Sequence, residues 1–164
     1  MQKSSSTIAS VVVLLASVMA CTDATYGSAD LPADWENSSR IERFRQSGCG
    51  NSPASVGPPE AIDVAVAAGT LDINYAYAPF RCQQNVEGFV RETGNALDIL
   101  VQPVDMNPQQ PTTCSCLYDL GLTLPARAGS YKAGDYTLTV YRRWDNVITD
   151  NPVVTVGTRA LVID

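Results

Sequence analysis

The sequence predicts an all-β fold: an antiparallel two-sheet sandwich, immunoglobulin-like, with about seven strands. Three observations carry this. Apolar residues recur with period two through most of the chain after position 60, the pattern of strands with one face on a core. Turn formers, 11 Gly and 10 Pro, punctuate these runs and mark the reversals between strands. Long stretches with the 3.6-residue period of an amphipathic helix are missing. About seven short strands separated by turns suit two packed sheets.

In chain order, Ile41 to Arg45 admits two readings. Ser39 and Glu42 have capping-box spacing, which would start a short helix; alternation of Ile41, Arg43 and Arg45 would equally make an edge strand. Gly48-Cys49-Gly50 ends this element, and residues 51–59 read as a Ser/Pro/Gly loop. Ile62, Val64 and Val66 then alternate with Asp63 and Ala65. After Gly69, Leu71, Ile73, Tyr75 and Tyr77 share a face until Pro79 closes the strand. A weaker run holds Val86, Phe89 and Val90, and Gly94-Asn95 forms a turn. Leu97, Ile99, Val101 and Val104 mark the next strand, with Pro103 near its end. Residues 107–113 are a Pro/Gln connection. In the cleanest strand, Cys114, Cys116, Tyr118, Leu120, Leu122 and Leu124 share one face. Tyr136, Leu138 and Val140 come next, and the last strand spans Val153 to Ile163. Gly134-Asp135-Tyr136-Thr137-Leu138 resembles a late immunoglobulin-like strand, where a corner Tyr bonds back to its loop; a half-buried strand Tyr is the equal alternative.

The N-terminus reads as an export signal. Lys3 supplies a positive start, and Ile8 to Ala20 is a largely apolar run of 13 residues. A spanning helix needs about 20, whereas a signal-peptide core is this short. Val18-Met19-Ala20-Cys21 resembles the bacterial lipobox, with Val18 where Leu is usual. That resemblance implies cleavage after Ala20 and acylation of Cys21 with two or three chains, enough for stable anchoring at about 0.8 kcal/mol per buried methylene. Thr22 is not Asp, which under the enterobacterial sorting rule favours the outer membrane. The predicted organisation is a signal over 1–20, then 21–58 as the lipidated cysteine and polar tether with a short element near 40–45, then the sandwich over 59–164.

Cysteine parity agrees with this. Five cysteines minus Cys21 leave Cys49, Cys82, Cys114 and Cys116, an even set for two disulfides in an oxidising compartment. Cys114 and Cys116 lie two apart in a strand, so they share a face with Cα atoms about 6.5–7 Å apart and parallel Cβ vectors, which disfavours bridging them to each other. Two pairings remain: 49–114 with 82–116, or 49–116 with 82–114. Each loop closed would be worth about 3–4 kcal/mol in the chain-entropy model. A four-thiolate metal site is set aside because zinc knuckles place two to four residues between paired cysteines, whereas only Ser115 separates Cys114 from Cys116 and Cys49 and Cys82 are lone. A redox CxC pair is set aside because a single intervening residue strains the ring.

Composition excludes several functions. The net charge is −6 with Lys3 included, and there is no basic cluster to attract nucleic acid or anionic lipid. Membrane attachment is therefore expected only through the lipid. The absence of histidine removes Ser-His and Cys-His dyads and the commonest zinc ligand. No cofactor or metal is expected, and no catalysis. Asp145, Asn146, Asp150 and Asn151 offer oxygen ligands but lack the glycine of an EF-type loop.

The candidate partner-binding residues are Tyr141, Arg142, Arg143, Trp144 and Asp145, because Tyr, Arg and Trp dominate interface hot spots. The plainer reading makes Trp144 a strand-end cap of the core and has the arginines pair with nearby acids. Leu100-Val101-Gln102-Pro103-Val104-Asp105-Met106, Cys114-Ser115-Cys116-Leu117-Tyr118-Asp119 and Tyr141-Arg142-Arg143-Trp144-Asp145 resemble segments of a group of predicted bacterial lipoproteins of unassigned function. The resemblance covers about residues 80–146 and implies an exported β domain without assigning an activity. The expected function is a lipid-anchored envelope protein that binds an envelope protein or glycan or plays a structural part. The alternatives are an accessory subunit of an envelope or secretion complex and, further off, a carbohydrate-active enzyme using paired carboxylates.

Overall fold

The computed structural model describes residues 31–50, 57–67, 70–104, 114–125, 133–143 and 152–163. These form a two-sheet β-sandwich of nine strands. The strands are β1 (Ser39–Arg40), β2 (Arg43–Gln46), β3 (Ala61–Ala67), β4 (Thr70–Arg81), β5 (Val86–Thr93), β6 (Ala96–Pro103), β7 (Ser115–Pro125), β8 (Gly134–Arg143) and β9 (Val153–Ile163). A 3-10 turn, Ala33–Trp35, precedes them. One sheet runs β1-β5-β6-β8-β9 and the other β2-β7-β4-β3.

Every pairing is antiparallel except β6 with β8, which is parallel with Leu97 opposite Leu138. This one parallel pair within the otherwise antiparallel sandwich has a topological reason. Between β6 and β8 the chain crosses to the other sheet as β7 and returns. Two reversals restore the original direction, so the returning strand lies parallel to the one it left.

The core arises from the period of two. Ile62, Leu71, Ile73, Tyr75, Leu120, Leu122 and Leu124 from one sheet meet Leu97, Ile99, Val101, Leu138, Val140 and Leu161 from the other. Burying an aliphatic side chain of this kind is worth about 1.5–3 kcal/mol, so this layer drives the packing. Tyr136 is buried in it. β5 and β6 join through Gly94-Asn95, with Gly94 at φ 59° as the first central residue of a hairpin turn requires.

Residues 39–40 and 43–46 form strands, with Ile41 and Glu42 between them, settling the helix-or-strand ambiguity. β1 pairs with β5 and β2 with β7, so this short stretch moves from one sheet to the other. Ile41 sits at the crossing, buried in the core, and its N–H donates to the Gly88 carbonyl at 2.8 Å. A Cβ on Gly88 would meet Leu122, Phe44 and Ile41 at 3.0–3.2 Å, so glycine lets the crossing chain lie against β5. The inward alternation runs through Phe44 and Gln46, leaving Arg43 and Arg45 exposed or nearly so.

Three further expectations are corrected. Tyr77 does not continue the core face of Ile73 and Tyr75. It is 40% exposed at φ 59°, within a register shift between Tyr75 and Ala78, after which Ala78 and Phe80 turn inward. The shift inserts a residue and swaps faces. Pro79 does not end the strand: β4 runs to Arg81, with Pro79 opposite Leu117. The β3 partner stops at Ala76, so β4 is an edge there and tolerates a residue without an N–H. Finally, the folded region starts well before residue 59. Trp35, placed in the tether by composition, is 1% exposed on the outer face of the five-stranded sheet against Phe89 and Leu100.

Trp35→Ala should therefore destabilise the domain by about 3–5 kcal/mol, the usual cost of emptying a buried aromatic site. A urea denaturation midpoint unchanged from the parent protein would show that the segment only rests on the sheet.

Candidate functional site: the cysteine end and the Tyr141–Arg143 strand end

The four domain cysteines gather where β2, β7 and β4 run side by side. Cys82 N–H donates to the Cys114 carbonyl at 3.2 Å, extending the β4–β7 pairing, and these two residues form one disulfide with Cα atoms 5.5 Å apart. Cys116, two residues along on the same face, bridges to Cys49 with Cα atoms 5.3 Å apart. The structure thus selects 49–116 with 82–114, the second of the two pairings left open by spacing. The sulfurs of Cys49, Cys82 and Cys116 all lie within 4.8 Å of one another. Cys116 belongs to the core, Cys82 is half-buried, and Cys49 and Cys114 are exposed. Around them, Tyr118 donates its hydroxyl to the Arg81 carbonyl at 3.0 Å. The Gln46 amide joins the two sheets, donating to the Gln84 carbonyl at 2.8 Å and accepting from Val86 N–H at 2.9 Å.

Of the five residues proposed to bind a partner, three are described; Trp144 and Asp145 lie outside the described residues, as do Cys21, the signal and the oxygen-rich 145–151 stretch. The strand period sends Tyr141, Arg142 and Arg143 to alternating faces of β8. Tyr141 faces outward, half-buried, with its ring edge-on to Trp35 at 5.6 Å between centroids. The Arg91 guanidinium stacks 4.4 Å over Trp35 and pairs with Asp98 at 2.9 Å. Arg143 also faces outward and donates to the Gln102 amide oxygen at 3.4 Å. Gln102 is fully buried, opposite Glu87, which is 3% exposed and paired with Arg40 at 3.3 Å. The outer face of the five-stranded sheet thus carries an aromatic row and, beside it, a buried polar row, both reaching the strand end that leads into Trp144.

Arg142 points the other way, between the sheets. Its guanidinium grips Glu60 with Nε at 3.2 Å and Nη2 at 3.1 Å, while the Tyr75 hydroxyl donates to the same carboxylate. Glu60 precedes β3 and Tyr75 lies on β4, so the trio fastens one sheet to the other. Burial first, then the hydrogen bond to Glu60 and its negative charge, hold the Tyr75 phenol protonated far above its ordinary range; the charge of Arg142 pulls the other way. Sequence reasoning singles out neither Glu60 nor Tyr75 as a site. The only signal is an isolated carboxylate at the head of a strand, which says nothing about a partner 82 residues away.

Arg142→Met should destabilise the fold by about 1–3 kcal/mol by leaving a partly buried carboxylate without its cation. Glu60→Gln with Arg142→Met should recover part of that loss in a double-mutant cycle; additive losses measured by denaturation would show that the two do not couple. Tyr75 predicts a pH dependence. Its folded-state ionisation is raised, while the unfolded chain ionises near 10. The contribution to stability is complete below pH about 10 and falls as pH rises above that value, at up to about 1.4 kcal/mol per unit. Tyr75→Phe should therefore lose stability more slowly than the parent above pH about 10, and parallel curves of denaturation midpoint against pH would contradict this.

Among the described residues, no helix is long and apolar enough to cross a membrane. Compared with known proteins, the chain matches no family model, no curated protein and no solved structure.

Proposed function

We propose that the chain is an exported bacterial lipoprotein of the group its C-x-C-L-Y-D and Y-R-R-W-D segments resemble. In this reading, Cys21 is acylated and holds the sandwich at the cell envelope, in the outer membrane, as a binding or structural module without catalysis of its own. The observation that carries the proposal is the cysteine pairing. Cys49–Cys116 and Cys82–Cys114 consume all four cysteines of the domain, leaving Cys21 as the fifth, directly after the apolar run that ends at Ala20. Disulfides belong to oxidising compartments, and a cysteine at that place is the acceptor that a lipoprotein signal requires.

A partner, an envelope protein or a glycan, would meet the strand end at Tyr141, Arg143, Trp144 and Asp145. The supporting feature is that, of these four, the two described residues, Tyr141 and Arg143, lie on the outer face beside Trp35 and Gln102, and Tyr, Arg and Trp are the types on which interface energy concentrates. Arg142 is occupied by Glu60 and serves the fold.

Bacteria expressing the full chain and fed a clickable fatty-acid analogue should label it, and Cys21→Ser should abolish the label and shift the protein from the membrane to the soluble fraction. Label retained by Cys21→Ser, or a parent protein that stays unlabelled, would overturn the anchor.

A further inference from the structure

The two disulfides are neighbours in an unusual sense: the Cys116 sulfur of one lies 2.9 Å from the Cys82 sulfur of the other. Neither sulfur carries a hydrogen when both pairs are oxidised, so this is a sulfur–sulfur contact between separate disulfides. A bond between them needs a separation of about 2.05 Å, so the two atoms need to close by less than about 1 Å. Exposure is graded around this contact. Cys116 is 0% exposed, Cys82 is half-buried, and the outer members, Cys49 and Cys114, are both exposed.

From this arrangement we infer that the four cysteines form a thiol–disulfide relay, in which a dithiol reductant acting at Cys49 releases a thiol at Cys114. A thiolate of the dithiol attacks the exposed Cys49 sulfur and breaks its bond to Cys116. Cys116 leaves as a thiolate. A thiolate buried in apolar surroundings is penalised by desolvation, and it lies against Cys82. It attacks that sulfur, the Cys116–Cys82 bond forms, the Cys82–Cys114 bond breaks, and Cys114 departs as a thiolate at the surface and takes a proton from water. The second thiol of the dithiol then closes on its own mixed disulfide and frees Cys49, which is protonated in turn. Two electrons have passed from the dithiol to the protein. One protein disulfide remains, now 82–116, with two exposed thiols at Cys49 and Cys114. Exchange of this kind proceeds by thiolate attack through mixed disulfides, and its direction here is set by moving negative sulfur out of the core.

The relay is distinct from the anchor and is tested without it. In the full chain carrying Cys21→Ser and Cys49→Ser, three cysteines remain, and the odd thiol reports the exchange. Native alkylation with iodoacetamide, then non-reducing digestion and fragmentation between positions 114 and 116, should show loss of the 82–114 bond, an 82–116 bond, and label on Cys114. A retained 82–114 bond, with Cys116 alkylated only after unfolding, would overturn the relay. Cys21→Ser/Cys49→Ser/Cys114→Ser guards against a misfolded result. Its two remaining cysteines should oxidise to the 82–116 bond with the β-rich circular dichroism of the parent; two thiols persisting under air, folded or not, also overturn it.

Discussion

The period of two along β7 is the constraint on which the rest of the sandwich depends. Because alternate residues of a strand face the same way, Cys116, Tyr118, Leu120, Leu122 and Leu124 are all delivered to one side and buried there, with β2 on one flank of β7 and β4 on the other. The leucines build the core. Cys116 and Cys114 cannot satisfy each other from parallel positions, so each reaches to a different flanking strand, Cys116 to Cys49 beyond β2 and Cys114 to Cys82 beyond β4. One strand thereby sets both the hydrophobic layer and the covalent staples, and the staples lock the register that the leucines require. They close loops with sequence separations of 67 and 32, for which the chain-entropy model, applied to each alone, gives about 4.4 and about 3.7 kcal/mol, a large fraction of the total stability of a domain this size.

Polar groups do a second job, tying the two sheets together at points the leucines do not reach. Gln46 links β2 to the chain entering β5, Arg159 of β9 donates to the Ile62 carbonyl of β3 at 3.1 Å, and Arg142 of β8 holds Glu60 and, through it, Tyr75. The last of these is only partly shielded from water, with side-chain exposures of 11% for Arg142 and 28% for Glu60. Its value lies in geometry as much as in energy: a bidentate guanidinium fixes both distance and orientation, which apolar packing alone leaves looser.

Much of this is legible in the sequence, and the failures have local causes. The inward positions Leu97, Ile99 and Val101, and Cys116 to Leu124, are readable because the face turned to the core carries an apolar residue at every second position, even though Leu100 and Leu117 on the other face are buried as well. Tyr77 escapes the pattern because a bulge changes its phase, and the signal of that bulge is a backbone φ rather than a residue type. Trp35 escapes it because a single aromatic in a polar stretch has no periodicity. Its partners, Phe89, Leu100 and Tyr141, come from strands far along the chain. The pairing of cysteines is half-readable. Strand geometry excludes the local bridge, but choosing between the two remaining sets requires knowing that β4 continues past Pro79 far enough to bring Cys82 opposite Cys114. The parallel β6–β8 pair is invisible because direction depends on which sheet the intervening strand joins.

The Tyr141–Arg143 segment shows how a strand can divide one motif between two roles. Alternation commits Arg142 inward, where Glu60 neutralises it, and commits Tyr141 and Arg143 outward, where the former meets Trp35 and the latter Gln102. A partner could not recruit Arg142 without breaking the ion pair to Glu60, and would leave that carboxylate without its cation. Tyr141 and Arg143 could be recruited without parting an ion pair to Glu60, at the smaller cost of their contacts with Trp35 and the buried Gln102 amide. Any recognition surface on this strand end must therefore be built from the odd-numbered positions of β8 and from the residues after Arg143. The same alternation that makes the fold robust thus restricts which positions of the motif can adapt toward a ligand.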